Sequence, residues 1–387
     1  MLVNESDFVP EITPVCPEGK KWEELLFFDI ETTGLQAQSS YIYLIGAAYF
    51  QNSAWHLWQL MTTDPSEEKE LLQRFFSLAE GFSALVHFNG TTFDLPFLEK
   101  KARRHCLASP LSSMDCIDLY RVAMQLKSIL PTENLKLKTL EALFGLTRND
   151  TFSGGELIDV YSHFLGIRKI NQLNHSKQEE ETALTHVLLL HNAEDVKNLP
   201  SLTFLALLSR PSLLAEGIAD AFANDDGLTL VLSCPVFFKK EVLLSLCPSC
   251  PGLSLTLAAD GRLFLHLPFY HGTLAHFYPN YKDYYYLPAE DCAIHKSIAS
   301  FVDKDHRTRA TSENCYTKTE GCFLPCFIKK SAKKEAEMES SFLCFQNSFK
   351  DVLYYTPYSE DFTTDASKQL LLCRELLQSL LTPSTVR

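Results

Sequence analysis

An apolar run that ends in two acids, Leu25-Leu26-Phe27-Phe28-Asp29-Ile30-Glu31, constrains this chain more than any other segment. A short continuous run of apolar residues reads as a buried strand. On a strand, residues two apart point to the same face, so Asp29 and Glu31 present their carboxylates together. Two carboxylates ~5 Å apart repel by about 3 kcal/mol at an effective dielectric near 20. A buried strand end keeps such a pair only when protons or cations compensate. Hard divalent cations, which take oxygen ligands, do so.

The surrounding pattern is α/β. Tyr41–Phe50 is a second apolar, β-rich run and Ala54–Met61 a third, alternating one. Pro65 opens an acidic first turn, Ser66-Glu67-Glu68, followed by Leu71, Leu72, Phe75, Phe76 and Leu78 at helical spacing. Ser83–Phe88 and Met114–Ile117 read as strands. Phe93–His105, Leu119 to about Ile129, Leu135–Leu143, Gly155–Leu165 and Lys177–Ser209 read as helices. Three adjacent strands, then alternating strands and helices, then helices, predict a mixed sheet flanked by helices over residues 25–210. Residues 1–24 show no period and read as a lead-in arm.

After Arg210-Pro211 the texture changes, which places a boundary near Ser209–Ser212. Leu228–Leu232, Leu253–Leu257 and Leu263–Leu267 read as strands, with Asp260-Gly261 as the hairpin turn between the last two. Lys329–Glu339 is a charged stretch, and Leu370–Leu381 an amphipathic terminal helix. Residues 211–387 are therefore expected to form a second, α+β domain of unknown fold and function.

Composition narrows the class. With 387 residues, 46% of them hydrophobic and 21% charged, the chain can bury a sizeable core, which excludes wholesale disorder. No window reaches the ~18 apolar residues of a membrane span. Glu5, Asp7 and Glu11 stand where a signal peptide carries lysines, so the expectation is a soluble, cytoplasmic protein without membrane partners. Its 12 cysteines then read as reduced thiols, many of them core packers. A net charge of −13 argues against a non-specific nucleic-acid binder, whose footprint is basic. It does not exclude a metal-dependent nuclease, in which bound cations reverse the local sign. The first 210 residues hold 27 Asp and Glu against 18 Lys and Arg, so the acid is concentrated where the strand pattern lies.

Two more acidic segments follow. Phe88-Asn89-Gly90-Thr91-Thr92-Phe93-Asp94 runs from a strand through a Gly-containing turn, placing Asp94 at a helix start. His191-Asn192-Ala193-Glu194-Asp195-Val196 lies late in the long helical stretch, where His191 and Asp195 are four apart and share a helix face. Together with Phe28-Asp29-Ile30-Glu31-Thr32-Thr33-Gly34, these segments resemble, in order and separation, the motifs of the DnaQ-like, or DEDD, 3′–5′ exonucleases of the ribonuclease H-like fold. The likeness is strongest to the YprB-type ribonuclease H-like domain. Leu137-Lys138-Thr139-Leu140-Glu141, Gly145 and Gly154-Gly155-Glu156 also resemble the segment before the last motif in family-B polymerase exonuclease domains. The resemblance covers residues ~25–205, about half the chain.

The resemblance implies a ribonuclease H-like fold and hydrolysis of single-stranded DNA or RNA from its 3′ end. Asp29, Glu31, Asp94 and Asp195 would hold two divalent ions, Mg2+ or Mn2+, as cofactors. His191 joins them as base or water-orienting donor, and Thr32, Thr33, Asn89 and Phe93 are candidate substrate contacts. One departure stands out. The family carries His five residues before the last Asp, or Tyr four before it. Here His191 occupies the tyrosine spacing and Leu190 the histidine spacing.

Other features have plainer readings. Glu194 reads as a solvated neighbour of Asp195, and Asp115 and Asp118 as a helix cap and a solvated turn. Lys100, Lys101, Arg103 and Arg104 form a basic cluster that either steers phosphates or completes a helix end. Cys247, Cys250, Cys322 and Cys326 are the one zinc-like thiol pattern, and core packing is the default for them. Tyr284-Tyr285-Tyr286 with Lys304, Arg307 and Arg309 mixes aromatics and bases as single-strand binders do. Two other functions fit the same motifs: a catalytically silent nucleic-acid-binding or interaction module, and a hydrolase of short oligonucleotides.

Overall fold

In the computed structural model, which describes residues 1–210, 217–329 and 340–381, the chain divides into two units. The first comprises Met1–Lys127, Thr132–Leu208 and Pro235–Glu241, and the second the remainder.

The first unit is built on one mixed sheet in the order β1 (Leu2–Phe8), β4 (Ala54–Met61), β3 (Ile42–Gln51), β2 (Leu25–Thr32), β5 (Ala84–His87) and β6 (Asp115–Asp118). β1 to β2 pair antiparallel in that spatial order, and β5 and β6 run parallel to β2. The acid-ended run is β2, an interior strand as its composition requires. The lead-in is not a free arm: Leu2–Phe8 pairs along the whole of β4. Its side chains are largely exposed, as suits an edge strand, and so it carries little of the alternation that reveals a half-buried one.

Helices cover both faces. Leu26, Phe28 and Ile30 of β2 pack with α1 (Glu68–Ala79) and α2 (Asp94–Arg104), through Leu71, Phe75, Phe97 and Leu98. A short helix α3 (Leu119–Gln125) follows β6, and α4 (Leu137–Phe144) comes next. On the opposite face Tyr43, Leu44 and Met61 pack with Leu157, Tyr161 and Phe164 of α5 (Gly154–Asn174) and Leu188 of α6 (Gln178–Leu202). The basic cluster on α2 is split. Arg103 and Arg104 are exposed, whereas Lys101 is buried 3.0 Å from the Glu68 carboxylate, which also accepts from the Ile42 amide. Lys101 therefore joins helix to helix and is unavailable to a phosphate.

The second unit is rich in antiparallel sheet, as the strand-like texture predicts. β7 (Ile218–Ala223), β8 (Gly227–Ser233), β9 (Val242–Ser245), β10 (Ser254–Leu257) and β11 (Arg262–Pro268) form a sheet in the order β7-β8-β11-β10-β9. Asp260-Gly261 turns between β10 and β11, with Gly261 at φ +80°. Two three-stranded sheets and a terminal helix, Ala366–Leu381, complete it. The charged stretch, apart from Lys329, lies outside the described residues.

Tyr278, Tyr281, Tyr284 and Tyr286 pack on Ala293, Ala310 and Cys315, and Arg307 stacks over Tyr285 at 4.9 Å. The aromatic and basic mixture is in large part internal packing. The four zinc-like cysteines do not gather either: Cys326 Sγ lies 3.9 Å from Cys344 Sγ. Among the described residues no set of three or more thiols brings its sulfurs together.

Candidate active site

The site forms where β2 ends. Asp29 and Glu31 lie on the β2 face opposite the Leu26–Phe28–Ile30 face, and the residues of α6 meet them there. Asn192 fixes the approach. Its amide donates to Asp29 Oδ2 at 3.1 Å, and its Oδ1 accepts from Gln59 Nε2 at 3.0 Å. Gly46 stands opposite Asp29 in the β2–β3 register, and a Cβ there would collide with Asn192 Oδ1 and lie 2.9 Å from its Cγ. The helix can come this close only because Gly46 has no side chain.

Asp94 arrives from the turn after β5. Asp118 N-caps α3 through the Tyr120 amide at 3.1 Å, and the same carboxylate accepts from the amides of Asn89 at 2.8 Å and Thr91 at 3.4 Å. Those bonds hold Asn89 in the left-handed region, at φ +63°. Gly90 donates to His87 Nδ1 at 3.0 Å, and any Cβ at Gly90 would press on the His87 ring and on Asp94 Oδ2. Asp94 then begins α2, with its carboxylate accepting from the Ile30 backbone amide. The expected roles are exchanged: Asp118, read as a solvated turn residue, is the buried cap, while Asp115, read as the cap, is exposed and paired with Lys20.

A third loop, between α4 and α5, brings residues that no motif announces. Glu194 accepts from the Asn149 and Asp150 amides at 2.9 Å each, so it is a buried anchor rather than the solvated neighbour its position suggested. Arg148 pairs with Glu141 and Asp150 and reaches Asp195. Asp150 accepts from Lys138 Nζ at 2.8 Å and lies 2.7 Å from His191 Nδ1. The opposite ring nitrogen, Nε2, is 3.5 Å from both Glu31 Oε1 and Asp195 Oδ2.

These segments line one cleft of about 560 Å³ that contains Asp29, Glu31, Asn89, Phe93, Asp94, His191 and Asp195. Seven of the nine residues singled out from sequence therefore meet. Thr32 and Thr33 do not line it. Thr32 Oγ1 donates to the Gly34 carbonyl, and Thr33 Oγ1 accepts from the Tyr41 amide, so both hydroxyls hold the turn. Arg148, Asp150 and Asn192 were not legible as site residues. Asp150 sits in an aperiodic loop, and its partner His191 is 41 residues away.

The electrostatics are unbalanced. Burial, then Glu31, Asp195 and Asp94, push the Asp29 carboxyl well above its ordinary range. Burial, then Asp195, Asp94 and Asp150, do the same to Glu31. Burial raises Asp94 to about 7, with Asp118 and Asp195 adding to the rise. Among the described residues no Lys or Arg lies within ion-pair distance of Asp29, Glu31 or Asp94, whereas Asp195 has Arg148. Asp150 goes the other way. Burial raises it, but the Lys138 ammonium, His191, the Phe152 amide and Arg148 together hold it at about 2. Buried carboxylates without counter-ions, open to a cleft, suit divalent cations. Glu31, His191 and Asp195 offer ligand atoms all within 4.8 Å of one another.

Residues 26–206 match the RNase_H_2 family model, described as RNase_H superfamily. The match spans just under half of the chain, and the mixed sheet with its flanking helices gives this segment a ribonuclease H-like fold. Comparison with curated proteins gives no match. Among solved structures, the family B DNA polymerase of the hyperthermophilic archaeon Pyrobaculum calidifontis is 12% identical, with a TM-score of 0.36. That likeness covers 67% of this chain and 35% of the polymerase. Exonuclease I bound to the inhibitor BCBP is 13% identical at a TM-score of 0.28, over 64% of this chain and 65% of that one. E. coli exonuclease I with a 5cy-dT13 oligonucleotide is 12% identical at 0.27, over 62% of each chain. The chain thus spans about a third of the polymerase and less than two thirds of exonuclease I.

Proposed function

We propose that this chain is a nuclease of the DnaQ-like, DEDD type that removes nucleotides from the 3′ end of single-stranded nucleic acid, its centre lying within residues 25–210. Residues 211–387 are an accessory domain to which we assign no chemistry. The observation that carries the proposal is the meeting of Asp29, Glu31, Asp94 and Asp195, from three elements distant in sequence, in one cleft where, among the described residues, three of them have no Lys or Arg partner. In this reading the four carboxylates hold two divalent ions, Mg2+ or Mn2+. Such ions supply positive charge beside a scissile phosphate and lower the pKa of attacking water.

The chain's own groups do the rest. Asn192 and the Ile30 amide fix the directions of Asp29 and Asp94. Arg148 holds Asp195, and Asp150 holds the His191 ring, before substrate arrives. Asn89 and Phe93 line the cleft where a terminal nucleotide would lie. Lys136 lines it too, is exposed, and has no ion pair among the described residues, so it is free to meet a backbone phosphate.

The test is incubation with 5′-labelled single-stranded DNA and RNA in Mn2+, Mg2+ or EDTA, beside Asp29→Ala. A ladder that shortens from the 3′ end, absent with EDTA and in the variant, is the expected result and also selects the sugar. A folded, metal-bound protein that leaves both polymers intact would overturn the proposal and favour a short-oligonucleotide substrate or a silent module.

A further inference from the structure

We infer that His191 is itself a metal ligand, oriented by Asp150, so that the ion at Glu31 and Asp195 meets nitrogen as well as oxygen and the site prefers Mn2+ to Mg2+. This rests on the metal-dependent reading of the cleft and changes His191 from a base or water-orienting donor into part of the cofactor's binding set.

A neutral imidazole has one N–H donor and one lone-pair nitrogen, and the acceptor beside one nitrogen decides which is which. Asp150 Oδ2, 2.7 Å from Nδ1, places the proton there. Asp150 is firmly held by Lys138, Arg148 and the Phe152 amide. Nε2 is left with its lone pair, on a ring that is 4% exposed.

That nitrogen points between two carboxylates. It is 3.5 Å from Glu31 Oε1 and 3.5 Å from Asp195 Oδ2, too far for good hydrogen bonds. The separation is close to the edge of a coordination shell: ligands ~2.1 Å from one ion stand roughly 3.0–3.4 Å apart. A carboxylate that accepts from the far N–H of a ligating histidine is the usual support for such a ligand. The i, i+4 spacing of His191 and Asp195 on α6 delivers two ligands from one helix face.

The choice of ion follows. Mg2+ favours oxygen ligands and keeps its waters, whereas replacing an oxygen by imidazole favours first-row transition ions.

Pulsed EPR of the full-length protein loaded with Mn2+ tests the inference. We expect modulation from a directly bound imidazole nitrogen, lost in His191→Gln, and an Mn2+ affinity at least tenfold weaker in that variant. Asp150→Asn should keep the nitrogen signal and weaken Mn2+ binding by roughly 10–100-fold, with far-UV circular dichroism confirming that both variants fold. Bound Mn2+ without nitrogen modulation, or wild-type Mn2+ affinity in His191→Gln, overturns the inference, as does a folded wild type that binds no Mn2+. Each reading can fail alone. Nitrogen-coordinated Mn2+ without cleavage of any strand sinks the exonuclease, whereas Mg2+-driven trimming without nitrogen modulation sinks the ligand.

Discussion

Asp29, Glu31 and Asp94 are carboxyl groups held where, without metal, burial and mutual repulsion favour the neutral form. Asp94→Asn removes one of the repelling charges, so the metal-free variant should melt several degrees above wild type while turnover is lost. Differential scanning calorimetry in EDTA, beside a cleavage assay, checks both halves. The pH dependence has a definite sign. The folded-state pKa of Asp94, about 7, lies above its unfolded value near 4, so the folded protein binds the extra proton between them. Metal-free stability from this group therefore falls as pH rises from about 4 through about 7. Added Mn2+ should restore more stability at pH 7.5 than at pH 5, seen as a larger rise in melting temperature at the higher pH. The same residues mark what the sequence disclosed. Asp29 and Glu31 were legible because period-two geometry needs no knowledge of the rest of the fold. Asp150 and Arg148 were not, because their meaning lies in partners that only folding brings near.

Two packing contacts between elements position these residues. α6 lies close to the sheet because Gly46 leaves room for Asn192. Gly46→Ala should cost about 1–3 kcal/mol by urea titration, and its cleavage rate should fall because Asn192 no longer steadies Asp29. Lys101 joins α2 to α1 through Glu68. Removing one member of a buried ion pair leaves an uncompensated charge, worth roughly 3–5 kcal/mol. Because His105 also contacts Glu68, at 2.8 Å, Lys101→Met should fall at the low end, with nucleic-acid affinity unchanged in a fluorescence-anisotropy titration. A large loss of affinity would instead return Lys101 to a phosphate-binding role. Sequence periodicity identified α1 and α2 but could not show which basic residue of α2 faced inward. Four basic residues in five positions spread over much of a helix circumference, and only the acid on α1 distinguishes one of them. β1 stayed hidden for the opposite reason, since an exposed edge strand needs no apolar face.

On the scale of the whole chain, the unexpected feature is the return of Pro235–Glu241 to the first unit. Phe238, 4% exposed, packs edge-to-face on Phe204 at 5.0 Å, and Lys240 donates to the Ala142 carbonyl. Phe238→Ala should therefore destabilise the first unit by about 3 kcal/mol, read in chemical denaturation followed by hydrogen exchange of α7 (Phe204–Leu208). A change confined to amides of the second unit would contradict that placement. A segment this short has no period of its own, so a sequence boundary near Ser209–Ser212 could not anticipate the return.

Whether the cleft at the end of β2 is a metal-dependent centre that trims a 3′ end is decided by one single strand labelled at its 3′ end and, separately, at its 5′ end, in Mn2+. The 3′ label should leave first as a mononucleotide while the 5′ label stays on a shortening strand, and Asp195→Asn should abolish both changes. Internal cuts, release of the 5′ label first, or undiminished trimming by Asp195→Asn would contradict it.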